Sequence, residues 1–307
     1  MTNEFIEVQG STTKRPGCKR SILICSAICL VFFSVSGPAT LPTPRPVSVP
    51  VTVALPPSSP PTVPEISFAR GIDISRSAGE PALRDFENIR EQGYRFVIVA
   101  GWGGVTPNSH ASVQLNRARS AGLLTAGYCY LNFASPLDGS RQVREALAAF
   151  GTEWAHLGFL AIDVETSAAN QLSPGLQLES PDATAQQLAL ARITEAVQQV
   201  QSLGLNVVIY TKKDDWQRVT GDTQQFKGLP LWHPKTIGGS DIHQPDLANP
   251  GYTFGGWTTR MGKQYLLDTI LNSPPIQVDL NVFDLNAFSA STPNHREAAD
   301  YRIVAAD

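Results

Sequence analysis

An α/β fold, closed into an irregular TIM-like β/α barrel of about eight strands, is what the sequence predicts for residues 65–289. Three observations carry that prediction. Short runs of β-branched and aromatic residues alternate with amphipathic helical stretches, the order a parallel α/β sheet requires. Gly93, Gly122 and Gly204 stand where the intervening helices should stop. The span is longer than a compact five-stranded open sheet needs and fits a barrel, and the 42% apolar content of the chain can supply its core.

The elements follow in order. Strands are expected at 68–75, 95–101, 124–133, 158–165 and 206–211, with shorter ones at 230–233, 255–258 and 276–283. In the first helix Pro81 suits the first helical position, and Leu83, Phe86 and Ile89 share a face. The longest helix repeats Leu190, Ile193, Val197, Val200 and Leu203 at helical spacing before Gly204. No helical pattern separates the last three strands, so the barrel should be irregular on that side.

The flanks read differently. Residues 1–20 form a polar leader carrying Lys14, Arg15, Lys19 and Arg20, and 21–36 are apolar and uncharged. A basic flank followed by an apolar run is an export signal. The run is shorter than the roughly 20 residues that span a bilayer comfortably. Cleavage near Ser34, Ser36, Gly37 or Ala39 would release the chain. The alternative is an uncleaved membrane anchor with the leader on the cytoplasmic side. A buried core helix suits these flanks poorly. Either way the expected location is extracellular or in the cell envelope. Residues 37–64 hold ten prolines and one charge, Arg45, and read as a semi-rigid spacer. A Pro-rich ligand for a signalling domain would be out of place in an exported chain. Residues 290–307 read as a polar tail.

Several function classes are excluded. A net charge of −3 gives no electrostatic case for nucleic acid. Of Cys18, Cys25, Cys29 and Cys129, three precede residue 30, so the body cannot hold an internal disulfide framework. Five scattered histidines form no HExxH and there is no CxxC, so no metal is expected, and no cofactor either. Gly101, Gly103 and Gly104 lack phosphate-loop spacing, and no GxSxG elbow exists. Cys129, between two tyrosines, reads as a buried strand residue. A monomer is expected.

Chemistry is suggested by four carboxylates. In a parallel barrel the reactive groups lie at the C-terminal ends of the strands. Asp73 ends the first strand in GIDIS, and Asp163 and Glu165 end the fourth in FLAIDVE. Asp279 lies in the last strand, which closure sets beside the first. Residues i and i+2 of a strand share a face, so Asp163 and Glu165 point the same way, and inward at the rim is the better choice for so apolar a strand. The same spacing recurs at Asp85 and Glu87, where a helix makes it a solvated face. Clustered carboxylates repel one another's charge, so one keeps its proton and can protonate a leaving oxygen. The others stabilise an oxocarbenium-like centre, attack it, or orient an acetamido group of the substrate, which is the chemistry of glycoside hydrolysis. Tyr128, Tyr130, Tyr210, Trp232 and Trp257, with Trp102, are placed to meet sugar faces.

The segments GIDIS, GYRFVIV, AGLLTAGYCYLNF, FLAIDVE, VVIYT, LPLWHP, KQYLLDT and VDLNVFD, in this order and spacing, resemble the family 25 glycoside hydrolases, the Chalaropsis-type lysozymes. The resemblance covers residues 68–288. It implies an irregular β/α barrel and a β-1,4-N-acetylmuramidase acting on peptidoglycan glycan strands with retention. By that likeness Glu165 is the general acid, and Asp163 is the carboxylate that assists or replaces a nucleophile. Asp73 and Asp279 become flanking pocket acids, while Tyr128, Tyr210 and Trp232 line the sugar site. The chain departs from the family at VAGWGG, which lacks the frequent basic residue ending strand two. It departs again at Cys129, where His or Trp is common, and at His233-Pro234, where a small apolar pair is usual. The other readings compatible with these residues are a barrel that binds glycan without cutting it and a glycosidase for another amino-sugar polymer.

Overall fold

The computed structural model describes residues 68–166, 172–234, 253–271 and 275–289. The expected leader, export segment, Pro-rich spacer and polar tail lie outside the described residues. Among those described, no helix is long and apolar enough to cross a membrane.

Eight strands form a closed barrel in sequence order: β1 (Phe68–Ile74), β2 (Phe96–Gly103), β3 (Leu124–Tyr130), β4 (Phe159–Asp163), β5 (Asn206–Tyr210), β6 (Leu231–Pro234), β7 (Gly262–Leu271) and β8 (Ile276–Asp284). Neighbours from β1 to β7 are parallel. β8 runs antiparallel to both β7 and β1, so the ring closes through a hairpin and not through a final β/α unit. Helices α1 (Leu83–Glu91), α2 (Ala111–Ser120), α3 (Gly139–Phe150), α4 (Ala183–Ser202) and α5 (Lys213–Thr220) follow the first five strands, and α6 (Asn286–Ser289) follows β8. Among the described residues no helix separates β6 from β7 or β7 from β8, the expected irregular side.

Strand alternation divides the core into two layers. Outward residues such as Val97, Val99, Leu160, Ile162, Val207 and Ile209 pack beneath the helices, against Phe86, Ile89, Val143, Ile193 and Val200. Inward residues fill the barrel. Phe96, Phe159 and Phe283, capped by Phe288, form an aromatic plug at the end where the parallel strands begin, with Phe159 stacked on Phe283 at 5.7 Å between centroids. That plug leaves the opposite mouth for chemistry. Gly71 is required beside it, because a Cβ there would meet the Phe96 ring.

The helix stops expected at Gly93, Gly122 and Gly204 have φ of +92°, +80° and +69°. Helix α1 begins at Leu83 rather than Pro81, and Asp85 accepts the Ala82 N–H at 2.6 Å. Asp85 is therefore buried as a cap, not part of a solvated face, because an N-terminal helix amide needs an acceptor. The seventh strand also differs from expectation. Residues 255–258 form a tight turn with Gly255 and Gly256 at positive φ, bridged only between Phe254 and Trp257. The strand lies later, at β7, where two register shifts against β8 blur the alternation that marks strands in sequence.

Candidate active site

The carboxylates converge on the open mouth. Asp73, near the end of β1, is the direct Cα partner of Asp279 on β8. Asp163 ends β4, flanked in register by Tyr130 on β3 and Tyr210 on β5. Glu165 stands two residues beyond Asp163 and is half-buried, whereas Asp73 and Asp163 are buried. The charge of Glu165 acts on Asp73, Asp163, Asp279, Tyr128 and Tyr210 together, which puts all six groups around one space.

Two amides missing from the sequence-based site hold this cluster together. Gln264 on β7 donates Nε2 to Asp73 Oδ2 at 2.9 Å and to Asp279 Oδ2 at 3.2 Å, while its Oε1 accepts the Tyr210 hydroxyl at 2.7 Å. Asn281 on β8 donates Nδ2 to Asp73 Oδ2 at 2.6 Å, and its Oδ1 accepts the Trp232 indole N–H at 2.9 Å. Each amide thus turns an aromatic donor on one side into a carboxylate donor on the other, which fixes both amide orientations. Asp279 Oδ1 also accepts the backbone N–H of Asp268 at 2.7 Å. Asn281 was detectable as the i+2 neighbour of Asp279 inside VDLN. Gln264 gave little signal, being one of several polar residues in β7.

Burial and mutual repulsion govern the electrostatics. Desolvation, then the charge of Asp279, holds the Asp73 carboxyl well above the ordinary range, against the lowering effect of Asn281 and Gln264. Desolvation, then Glu165, raises Asp163 in the same direction. Asp279 is pushed up to about 6 by burial, against the lowering hydrogen bond from the Asp268 backbone, while the charges of Asp268 and Glu165 add to the rise. Tyr128 and Tyr210 are raised by burial and by the surrounding acids, so both stay neutral hydrogen-bonding groups. One oxygen of Asp163, Oδ1, is buried with no hydrogen-bond partner. Such an oxygen in a pocket wall is suited to a donor carried by a ligand.

The expected aromatics divide. Tyr128, Tyr210 and Trp232 cluster at the mouth, with Tyr210 edge-on to Trp232 at 4.5 Å and Tyr128 to Trp232 at 6.5 Å. Tyr130 stands half-buried beside Asp163. Trp257 is not brought to this site. It packs against Trp216 and Phe254 and donates its indole N–H to Leu229 O at 2.8 Å, just before the start of β6, hence near the opposite end of the barrel. The double-glycine turn before it folds the indole into the outer core. Trp102 likewise spends its N–H on Gln142. Cys129 is a buried free thiol in the outer layer, raised by burial. Among the described residues no group of three or more His, Cys, Asp or Glu side chains could hold a metal ion.

The model of the family described as lysozyme-like protein 1 matches residues 65–265. A probable GH family 25 lysozyme 3 from Dictyostelium discoideum is 29% identical over 219 residues, covering 71% of this chain and 41% of the relative. Counting factor 50 from the same organism is 29% identical over 198 residues, covering 61% of this chain and 57% of its own. The chain thus spans about half the length, or less, of these relatives. Among solved structures, a bacterial lysozyme from Streptomyces coelicolor matches with a TM-score of 0.53 at 19% identity, covering 71% of this chain and 93% of that one. A muramidase from Acremonium alcalophilum matches at TM-score 0.50 and 22% identity, covering 70% and 93%. These likenesses show the same barrel. Since the family match runs through β1, β4 and the segment beyond β4 that carries Glu165, the chain belongs to the lysozyme-like protein 1 family and is of the family 25 glycoside hydrolase type.

Proposed function

We propose that the chain is an exported muramidase that cleaves the β-1,4 bond between N-acetylmuramic acid and N-acetylglucosamine in peptidoglycan, with retention. The observation that carries the reading is the convergence of Asp73, Asp163, Glu165 and Asp279 on one barrel mouth lined by Tyr128, Tyr210 and Trp232. Burial and repulsion keep protons in this cluster near neutrality, so it can protonate a leaving group without strong external acid.

Glu165, half-buried and just beyond the end of β4, donates its proton to the glycosidic oxygen as the bond to C1 breaks. The unpartnered Oδ1 of Asp163 accepts the acetamido N–H of the muramic acid residue and orients its carbonyl oxygen toward C1. The cyclic intermediate is opened by a water that Glu165, now a carboxylate, deprotonates, which restores the acid and the original anomeric configuration. Asp73 and Asp279, held by Gln264 and Asn281, form the floor beside the sugar. The apolar segment 21–36 supports export, whether by cleavage or as an anchor.

The test is to incubate the full chain and its Glu165→Gln variant with several peptidoglycans and identify the released fragments by mass spectrometry after borohydride reduction. Muramitol-ended fragments are expected from the wild type, with a loss of about 10³-fold or more in the variant. Retained polymer with no fragments would replace this reading by glycan binding. Fragments from a different amino-sugar polymer alone would replace the substrate.

A further inference from the structure

The segment that carries Glu165 has left the sheet. The β4 ladder ends at Asp163, and Val164, Glu165 and Thr166 continue beyond it. Such a segment needs other fastenings if a side chain on it is to keep one orientation, and the structure supplies them from the end of β5, the residue after it and the first turn of α5. The Val164 N–H donates to Tyr210 O at 2.9 Å, and the Thr211 hydroxyl donates to Val164 O at 2.8 Å. On the other side of Glu165, the Thr166 hydroxyl donates to Oδ1 of Asp215, in the first turn of α5. Asp215 is only 2% exposed, and its second oxygen faces Lys212 Nζ at 3.4 Å.

Burying a carboxylate is expensive, and an apolar residue at this helix position would serve packing better. What Asp215 adds is a strong, charge-assisted acceptor for one hydroxyl, and that hydroxyl belongs to the residue directly after Glu165. Glu165 is thereby bracketed, with Val164 pinned before it to the end of β5 and Thr211, and Thr166 pinned after it to the first turn of α5. From this geometry, and resting on the muramidase reading above, we infer that Asp215 and Thr166 are a positioning pair that holds Glu165 in its working orientation. Neither touches substrate. Lys212 steadies Asp215 from the solvent side, and the pair acts through the backbone of residues 164–166.

The inference is tested in the full chain with Thr166→Val, which keeps the shape and removes the hydroxyl, and Thr166→Ser, which keeps the hydroxyl. Asp215→Ala and Asp215→Asn form the matching pair on the helix. Thr166→Val is expected to lower kcat about 10-fold or more with KM within about twofold, because a displaced acid loses rate and not ground-state binding. Thr166→Ser and Asp215→Asn, which retain a donor and an acceptor, should keep at least about a third of kcat. Should Asp215→Ala fail to fold, the half-buried Thr166 still carries the test. A second readout does not depend on activity. In protein labelled with carboxyl-13C glutamate, the Glu165 line is identified by its loss in Glu165→Gln. It should be single and sharp in the wild type and Thr166→Ser, and broadened or displaced in Thr166→Val. Wild-type kcat together with an unchanged Glu165 line in Thr166→Val would overturn the inference. So would a loss of kcat that Thr166→Ser shares. If the wild type cuts no peptidoglycan, the muramidase reading fails by itself, and the Glu165 line alone decides whether the pair positions it.

Discussion

Asp73 stands directly opposite Asp279 across the antiparallel seam of β1 and β8. Two acids at one rung repel each other, and the structure tolerates them by placing amide donors between them and by retaining protons. The Asp279 carboxyl titrates near 6 in the fold, against about 3.9 in an unfolded chain, and Asp73 and Asp163 shift the same way.

The sign of the resulting pH effect follows from proton binding. Between about pH 4 and 6 the folded state holds protons that the unfolded state has released, so deprotonation favours unfolding. The contribution of Asp279 is fully present below about pH 4 and is lost as pH rises through about 6, and Asp73 and Asp163 act in the same direction. Urea midpoints should therefore fall from pH 5 to 7.5, and Asp279→Asn should flatten that decline by about 1–2 kcal/mol, allowing for solvent at its exposed edge. The ion-paired Glu153 works in the opposite direction, losing its stabilisation as pH falls. An identical slope in wild type and Asp279→Asn would show that the seam is not strained by charge.

Gln264→Leu removes the amide shared by Asp73, Asp279 and Tyr210 while keeping most of its volume. The cost expected is about 2–4 kcal/mol, since buried carboxylate and hydroxyl groups lose their partner at once. Activity should fall by about 10-fold or more, because both pocket acids lose their orientation. Denaturation curves and initial rates on peptidoglycan measure the two effects, and a variant within 1 kcal/mol of wild type, by about the spread of a neutral surface change, would show the network to be dispensable.

Trp257 and Trp232 should separate stability from catalysis. Trp257→Phe loses the hydrogen bond to Leu229 O and part of the outer core, at about 1–3 kcal/mol, with KM unchanged within about twofold. Trp232→Phe leaves Asn281 Oδ1 without its donor and should lower kcat about 10-fold. A raised KM in Trp257→Phe would return that residue to the sugar site.

The parts of the molecule governed by local rules were legible in the sequence. Helix-ending glycines, alternating strands and the acids in GIDIS, FLAIDVE and VDLN needed only neighbours along the chain. Asp85 misled because a buried cap and a solvated acid look the same at helix position three. Strand β7 was obscured because Lys263 and Gln264 are both buried polar residues, and its register slips twice against β8. Gln264 and Asp215 were invisible for a different reason. Each matters through a contact with a residue distant in sequence, 191 positions in the case of Gln264 and Asp73, and no periodicity encodes such a contact.

Closure by an antiparallel last strand has a consequence for the order of assembly. Asn281 reaches Asp73 across 208 positions of sequence, so the pocket floor is made of the first and last strands of the barrel. A nascent chain that has completed β1 to β7 still lacks Asp279 and Asn281, and leaves Asp73 without the amide that holds it most closely. Contacts this remote are formed late and slowly in folding. The chain should therefore be inert until it is finished, and any truncation that removes β8 should abolish the site and open the sheet together.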